Sequence, residues 1–400
     1  FLTFIIWNLL TTWWIYNASP GGAAMAIIFN SLFMAMVFWF FHRTKKKIGE
    51  KFSGLILICY WLTFEYLHMK WDLSWSWLTL GNGFASSYNL VQWYEYTGVF
   101  GGSLWILLAN VLIFEWMKKT KWKLQIKEHR LRIAGIVLLI IIPIVLSVLI
   151  KGLHEKNSTA GKKEFDIVVV QPNIDPYKEK FSGNYKEQLE KILTLAVQKI
   201  DTNTTYLVFP ETALQETFWE NDIQNTQSIH RLKTFLKKYP KLKIVVGAST
   251  HYHYGKDEKI SATARKFTDS DEYYDSYNTA LQIDSSNELQ IYHKSKLVPG
   301  VEKMPYPQIF GFLEQLAIDL EGTSGSLGIQ EERSVFHSPN GEFKIAPVIC
   351  YESVYGEYVT NYLHKGADFI FILTNDGWWG DTPGYKQHLA YASLRSIETR

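Results

Sequence analysis

The 400-residue sequence has little cysteine and almost no net charge. Its two cysteines, Cys59 and Cys350, are too few for a disulfide framework, which excludes a small disulfide-rich secreted protein. Because 41 Lys and Arg balance 39 Asp and Glu, there is no overall basic field to attract nucleic acid.

Several short motifs with known chemistry are also missing. The chain has no G-x-x-x-x-G-K-[ST], no G-x-G-x-x-G after a strand, no G-x-S-x-G and no H-E-x-x-H. His251 and His253 alternate as strand neighbours, but no Cys or acidic cluster surrounds them, so we assign both to the surface. We therefore expect no metal and no cofactor.

Long apolar runs are concentrated in residues 1–150. A helix that crosses the bilayer core needs about 20 mostly apolar residues, and buried helices of a soluble protein are the alternative interpretation. We predict a multi-pass helical membrane domain over residues 1–150, with about five spans. The five runs are Phe1 to Tyr16, Ala24 to Phe41, Phe52 to Leu67, Gly98 to Phe114 and Ile133 to Ile150.

Basic residues cluster in two of the connections between these runs. One cluster follows the second run at 43–51 and another lies between the fourth and fifth runs at 118–132, whereas the connection after the third run is rich in Trp. The positive-inside rule places both clusters in the cytoplasm. We therefore expect residues 151–164 to be a linker, and everything after it to lie on the outer side of the membrane.

The periodicity changes at Phe165. Strand-like runs at 165–170, 206–209, 243–248, 277–283, 289–293, 343–349 and 369–374 are mixed with helical patterns at 185–200 and 228–238. Strands that alternate with helices favour an α/β layered domain over residues 165–400 rather than a β-sandwich.

Three reactive side chains follow strand-like runs. Glu211 comes after Leu207-Val-Phe-Pro, Lys294 after Ile291-Tyr-His, and Cys350 after Ile345-Ala-Pro-Val-Ile. Strand ends gather into one site in α/β sheets, so a base, a cation and a nucleophile would meet there. If Tyr351 opens a helix, the helix dipole lowers the pKa of the Cys350 thiol, although a buried inert cysteine is the alternative.

At these positions the chain resembles the nitrilase (carbon–nitrogen hydrolase) superfamily. The matching segments are Pro210-Glu211, Tyr292-His-Lys294 and Ile349-Cys350-Tyr351-Glu352. The segment Leu373-Thr-Asn375-Asp376-Gly-Trp378-Trp379-Gly-Asp, followed by Gln387-His388, is similar to one branch, the apolipoprotein N-acyltransferases of the bacterial inner membrane.

This resemblance implies a nitrilase-like αββα sandwich with Glu211, Lys294 and Cys350 as a catalytic triad. It further implies supporting roles for five residues, namely Glu302, Tyr351, Glu352, Asn375 and Asp376. The implied reaction is transfer of an acyl chain from a phospholipid to the α-amine of a diacylglyceryl-modified N-terminal cysteine on an apolipoprotein, by a ping-pong mechanism through a cysteine thioester. The catalytic domain would lie on the periplasmic side of the cytoplasmic membrane.

The chain departs from the branch in three respects. Its members usually have Pro-Phe-Gly-Glu where this chain has Pro299-Gly300-Val301-Glu302, and Lys296 is a rival for Lys294. The chain begins with Phe1 rather than Met, and the branch has further spans before that point. Members of the branch also have closing strands and a last membrane helix after the position that corresponds to Arg400. We therefore expect this chain to lack both ends of the full-length protein.

Two other functions fit the same features. One is a membrane-tethered amidase with the same triad, and the other is a multi-pass transporter or scaffold with an inactive nitrilase-like binding domain, for which Glu65 would be the intramembrane charge. Trp219, Trp378 and Trp379 are candidates for lipid-facing anchors because Trp favours membrane interfaces, with core packing as the alternative.

Overall fold

The computed structural model describes residues 1–123, 129–158, 165–180, 183–286, 288–306, 308, 326–338 and 341–400. A helical half precedes an α/β half, as the sequence predicts. The domain boundaries at 150 and 164 stay predictions: a helix continues to Ser158, and residues 159–164 of the predicted linker lie outside the described residues.

The helical half is built from helices of very different length. They are α1 (Leu2–Thr12), α2 (Ile15–Ala18), α3 (Pro20–Ile48), α4 (Ser53–His68), two 3₁₀ segments (Ser76–Leu78 and Leu80–Leu90), α5 (Tyr94–Lys119) and α6 (Arg130–Ser158). Among the described residues, α3, α5 and α6 are long and apolar enough to cross a membrane. The predicted runs at 1–16 and 52–67 give helices of only 11 and 16 residues, so the count of five spans stays a prediction.

Apolar side chains on α6 point away from the rest of the protein. Leu138 and Leu149 are 54% and 58% exposed, which would be costly in water and is favourable against lipid. Inside the half, Glu65 on α4 is buried and accepts hydrogen bonds from the Trp61 indole (3.0 Å) and the Leu80 amide (2.8 Å). This carboxyl thus joins α4 to the second 3₁₀ segment.

The α/β half contains two sheets. Its strands are β1 (Asp166–Val169), β2 (Thr204–Val208), β3 (Leu214–Trp219), β4 (Lys243–His253), β5 (Arg265–Lys266), β6 (Tyr273–Ile283), β7 (Gln290–His293), β8 (Phe336–His337), β9 (Lys344–Ile349) and β10 (Phe369–Leu373). Its helices are α7 (Tyr185–Val197), α8 (Gln227–Leu236), α9 (Gly356–His364) and α10 (Pro383–Thr399). The large sheet has the order β1-β2-β4-β6-β5, with β3 beside β4 and β7 beside β6, and the small sheet has the order β10-β9-β8.

Alternating side chains on the strands create two apolar layers. Leu207 and Ile244 pack under α7 and α8 on the outer face of the large sheet. Tyr206 and Val245 face the small sheet, where they meet residues of β9 such as Val348. Strand periodicity thus produces the predicted αββα sandwich.

The two halves share one hydrophobic core through α10. Trp77 of the first 3₁₀ segment donates to Gln387 (2.8 Å) and accepts from the Tyr391 hydroxyl through its carbonyl (2.8 Å). Glu398 accepts from the amide of Val99 on α5 at 3.1 Å. The α/β half is therefore fixed directly against the helices rather than tethered by a loop.

Candidate active site

The structure brings Glu211, Lys294 and Cys350 to the wall of one cavity. Glu211 follows β2, Lys294 follows β7 and Cys350 follows β9, so each lies just beyond a strand end. The Lys294 ammonium is 3.1 Å from Glu211 Oε1 and 2.8 Å from Glu302 Oε1. Cys350 lines the same cavity, where the charges of Glu211 and Lys294 both act on the pKa of its thiol.

All of the charges in this group are buried. Lys294 is 1% exposed, while Glu211 and Glu302 are 7% and 5% exposed. The Asn278 amide donates to Glu211 (2.8 Å) and to Glu302 (2.9 Å), so it holds the two carboxylates on either side of the ammonium. Buried charges are tolerated only when paired and hydrogen-bonded in this way.

The pairing fixes the charge states. Burial opposes ionisation of Glu211, but Lys294, Lys180 and the Asn278 amide together lower its pKa below the usual value. Burial likewise opposes the charged form of Lys294, yet the two carboxylates raise its pKa well above the usual value. Glu211 is therefore a carboxylate and Lys294 an ammonium at neutral pH.

Cys350 occupies a tight elbow between β9 and a 3₁₀ turn. Its φ of +48° is in the left-handed region that non-glycine residues seldom adopt. The expected helix at Tyr351 is wrong, because residues 350–354 form a 3₁₀ turn and α9 begins only at Gly356. The expected fall in thiol pKa is wrong too, since burial and the charge of Glu211 raise the pKa of Cys350 well above its usual value.

Glu352 ties the elbow to the segment that bears the lysine. Its fully buried carboxyl accepts from the amides of Ile349 (2.8 Å) and Ser295 (2.7 Å) and from the Tyr292 hydroxyl (2.7 Å). Its position therefore suits a structural brace between β9 and β7.

Tyr351 connects the elbow to the helical half. Its buried hydroxyl donates to the carbonyl of Ser74 at 3.0 Å, and its ring stacks on Trp75 with 6.2 Å between centroids. Asn375, two residues after the end of β10, contacts the base directly, since its backbone amide donates to Glu211 Oε2 at 3.2 Å. Asp376 lies next to it and binds His388 at 2.8 Å.

The cavity measures about 250 Å³ and lies between the two halves. One wall comes from a single face of α3, whose lining residues recur at each turn of the helix, as a helix face requires. They are Gly22, Met25, Ala26, Phe29, Asn30 and Phe33, and Ser19, the N-cap of the helix, lies beside them. The charged group lies on the opposite, α/β side.

The three tryptophans have different positions. Trp378 and Trp379 line the cavity, and Trp379 also packs on Trp14 at 4.6 Å. Trp219 is not among the described residues that line it, and instead stacks on Phe267 at 5.7 Å between centroids.

Sequence reasoning missed several residues of the site. His251 lines the cavity rather than lying only at the surface, and its Nδ1 is 2.8 Å from the Ser276 hydroxyl. Asn278 shares the inward face of β6 with Ala280, a period-two signal that could have found it. Nothing in the sequence marks Lys180, which hydrogen-bonds Thr212 beside Glu211.

The side chain of Lys296 packs on aromatic rings. Its ammonium lies over the rings of Tyr355 (5.3 Å) and Tyr358 (5.9 Å). Lys294, not Lys296, is the lysine that contacts Glu211.

The fold and the strand-end site define an α/β carbon–nitrogen hydrolase. A sequence model described as "Carbon-nitrogen hydrolase" matches residues 167–400, more than half of the chain, which therefore belongs to that family. A second model, "Apolipoprotein N-acyltransferase N-terminal domain", matches residues 1–112.

Within the family, the resemblance to apolipoprotein N-acyltransferases is confirmed. The protein of that name from Chlorobaculum tepidum is 29% identical, over all of this chain and 74% of its own length. Those from Treponema denticola and Thermotoga maritima are 25% and 23% identical, over 100% and 86% of this chain and 73% and 57% of their own lengths. The chain thus spans roughly three fifths to three quarters of these relatives.

Proposed function

We propose that this protein moves an acyl chain from a phospholipid to the α-amine of a lipid-modified N-terminal cysteine on an apolipoprotein, through a thioester on Cys350. One observation carries the proposal: a single cavity has Glu211, Lys294 and Cys350 on one side and the apolar face of α3 on the other. The names of the relatives support the acceptor class.

In the first half-reaction, Cys350 attacks the ester carbonyl of the phospholipid. Because the pKa of the thiol is raised, the resting group is S–H, and Glu211 removes this proton as the S–C bond forms. The Lys294 ammonium stabilises the oxyanion of the tetrahedral intermediate. The C–O bond then breaks, Glu211 gives the proton to the departing oxygen, and lysophospholipid leaves.

In the second half-reaction, the acceptor amine attacks the thioester carbonyl. Glu211 takes a proton from the amine as the C–N bond forms, and Lys294 again faces the oxyanion. When the C–S bond breaks, the sulfur recovers its proton from Glu211 and the amide product is released. One acyl-enzyme serves both halves, so the kinetics are ping-pong.

The helical half provides the binding site for the acyl chain. Each methylene that leaves water contributes about 0.8 kcal/mol, so the face of α3 formed by Ala26, Phe29 and Phe33 favours a long chain over a short one. Enclosure between the two halves keeps water from the thioester. The basic clusters at 43–51 and 118–132 support a site on the outer side of the membrane, and the names of the relatives support a bacterial inner membrane.

Mass spectrometry of the chain incubated with phospholipid tests the proposal. We expect an acyl adduct on Cys350 that is absent from Cys350→Ala and is discharged by a peptide with a diacylglyceryl-modified N-terminal cysteine. Glu211→Gln is expected to abolish the adduct while the thermal unfolding midpoint shows a folded protein. An adduct at another residue, or acylation at a normal rate in Glu211→Gln, would contradict the assigned roles.

A parallel assay with short amides separates the proposal from a membrane-tethered amidase. Hydrolysis of small amides with no phospholipid adduct would favour the amidase. Absence of both reactions in folded protein would favour an inactive binding domain.

A further inference from the structure

His388 lies directly behind the nucleophile elbow. This α10 residue is 4% exposed, and its ring lies near the Cys350 sulfur and the Asp376 carboxylate, with one atom from each residue all within 4.8 Å of one another. Nδ1 is 2.8 Å from Asp376 Oδ1, while Nε2 is 3.2 Å from the carbonyl oxygen of Cys350 and 2.9 Å from the Ser353 hydroxyl.

The partners of His388 determine where its protons are. A carboxylate and a backbone carbonyl can only accept, so Nδ1–H donates to Asp376 and Nε2–H donates to Cys350. Ser353 is no exception, because its hydroxyl donates to the same Cys350 carbonyl at 2.7 Å and presents its lone pairs to His388. Both nitrogens therefore bear hydrogen, which makes the ring an imidazolium.

The electrostatics agree with this proton count. Burial opposes the charged ring, but Asp376 and the Cys350 carbonyl outweigh it and raise the pKa of His388. Thr374 also donates a hydrogen bond to Asp376 at 2.6 Å. The buried His388 and the half-buried Asp376 thus form an ion pair against the elbow.

A second α10 side chain acts on the same turn. Arg395, seven residues after His388 and so on the same face of the helix, donates to the carbonyls of Ser353 (3.1 Å) and Val354 (3.0 Å). The carbonyls of the 3₁₀ turn are therefore held from α10, and His388 holds the one that belongs to the nucleophile.

We propose that His388 is a positioning residue for Cys350: its Nε2–H fixes the Cys350 carbonyl and thereby keeps the elbow in the left-handed conformation that presents the sulfur to the cavity. The inference rests on the proposed function, since it assigns His388 a part in thioester formation. A left-handed non-glycine residue persists only where its surroundings hold it. Two donors on one carbonyl provide that restraint here.

Two amide variants separate the two nitrogens of the ring. The Gln amide nitrogen can occupy the place of Nε2 and keep the bond to Cys350, whereas the Asn amide nitrogen reaches only the place of Nδ1 and keeps the bond to Asp376. Both variants remove the same positive charge. The full chain in detergent would be mixed with p-nitrophenyl butyrate, and the nitrophenolate burst would report acylation of Cys350, with Cys350→Ala as the blank.

We expect His388→Asn to slow the burst about 10- to 100-fold, and His388→Gln to recover it to within about 5-fold of the wild-type rate. KM should change less than kcat, and the exposed α8 residue His230 provides a matched control as His230→Asn. Equal losses in the two variants, or no loss in either, would overturn the positioning role, because a purely structural or charge effect does not distinguish them.

If neither His388 variant folds, Ser353→Ala tests whether hydrogen bonds to the Cys350 carbonyl position the sulfur. It removes the second donor to the Cys350 carbonyl, so we expect a burst about 3- to 10-fold slower, and an unchanged rate would overturn the inference. A wild-type burst without any phospholipid adduct would remove the proposed function while leaving the positioning role intact.

Discussion

The cavity has two unlike sides, one from the helical half and one from the α/β half. The α3 side presents Ala26, Phe29 and Phe33, which offer apolar surface. The opposite side presents Lys294 between Glu211 and Glu302, which are charges removed from water. A substrate that satisfies both sides must be amphiphilic, with its reacting group next to its apolar chain.

The two sides also respond differently to change. Apolar contacts are roughly proportional to area, so the loss of one contact on α3 has a graded effect. Buried charges depend on each other, so the removal of one leaves the others unpaired. Substitutions on the charged side should therefore be severe, and those on the apolar side should be selective for substrate.

The largest effect is expected for Lys294→Met. It leaves Glu211 and Glu302 facing each other without their cation, at a cost of about 3–5 kcal/mol in the free energy of unfolding. Acylation of Cys350 should fall by roughly 10²- to 10³-fold, as for loss of an oxyanion-stabilising group. Denaturant unfolding and the nitrophenolate burst measure the two losses.

The control for this variant is Lys296→Met. It removes an ammonium packed on Tyr355 and Tyr358, an interaction of about 0.5–1 kcal/mol, and should keep most of the acylation rate. Equal damage from the two substitutions would show that the Glu211–Lys294–Glu302 group has no special role.

A medium effect, confined to long chains, is expected for Ala26→Phe. The larger side chain fills part of the α3 wall, so the rate with a long-chain phospholipid should fall about 10-fold while the rate with p-nitrophenyl butyrate stays within about 2-fold. Leu32→Phe, at an exposed position on the same helix, is the matched control. Similar losses with long and short donors would mean that α3 does not hold the acyl chain.

A smaller effect is expected in the pH profile of Lys180→Met. The pKa of Glu211 is lowered against the effect of burial by Lys294 first and Lys180 next, so activity that requires the carboxylate is lost only as the pH falls through that lowered value. Removal of the Lys180 charge raises the pKa of Glu211 and moves the acid limb of the burst rate to higher pH. With the exposed Lys191→Met as control, a limb that stays in place would rule out Glu211 as the base.

The smallest effect is expected for Lys303→Ala. Lys303 forms an ion pair with Asp72 at 2.8 Å between the α/β half and the helical half, and both side chains are partly exposed. Such pairs contribute about 0–1 kcal/mol, so the thermal midpoint and KM should change little. A large fall in the thermal midpoint, or a large rise in KM, would show that this contact, rather than the shared apolar core, holds the halves together.

Much of the α/β half could be predicted because its signals are local. The strand-like runs that end at Ile283 and Ile349 are strands in the structure, with the same last residues. The positions of Glu211, Lys294 and Cys350 after such runs sufficed to expect them at one sheet edge. A run of apolar residues needs no knowledge of its neighbours to become a buried strand.

The features that could not be predicted from the sequence depend on contacts between distant segments. The Glu352 carboxylate binds the Ile349 amide and tightens the turn, which replaces the helix expected at Tyr351. The pKa of Cys350 follows from burial between two halves, which a single segment does not reveal. The α3 wall is equally hidden, since nothing local pairs it with residues more than 150 positions away.

Because both halves of the protein line the cavity, the α/β half cannot be separated from the helical half without opening the site. A fragment that begins at β1 would retain the acid, the amine and the sulfur, but it would lose Trp14, Trp75 and Trp77, which pack around Trp379 and Tyr351. Such a fragment would have its reacting groups open to bulk solvent on one side, and hydrolysis would compete with the proposed acyl transfer. The helical half is thus part of the active site itself, and a different membrane anchor could not replace it.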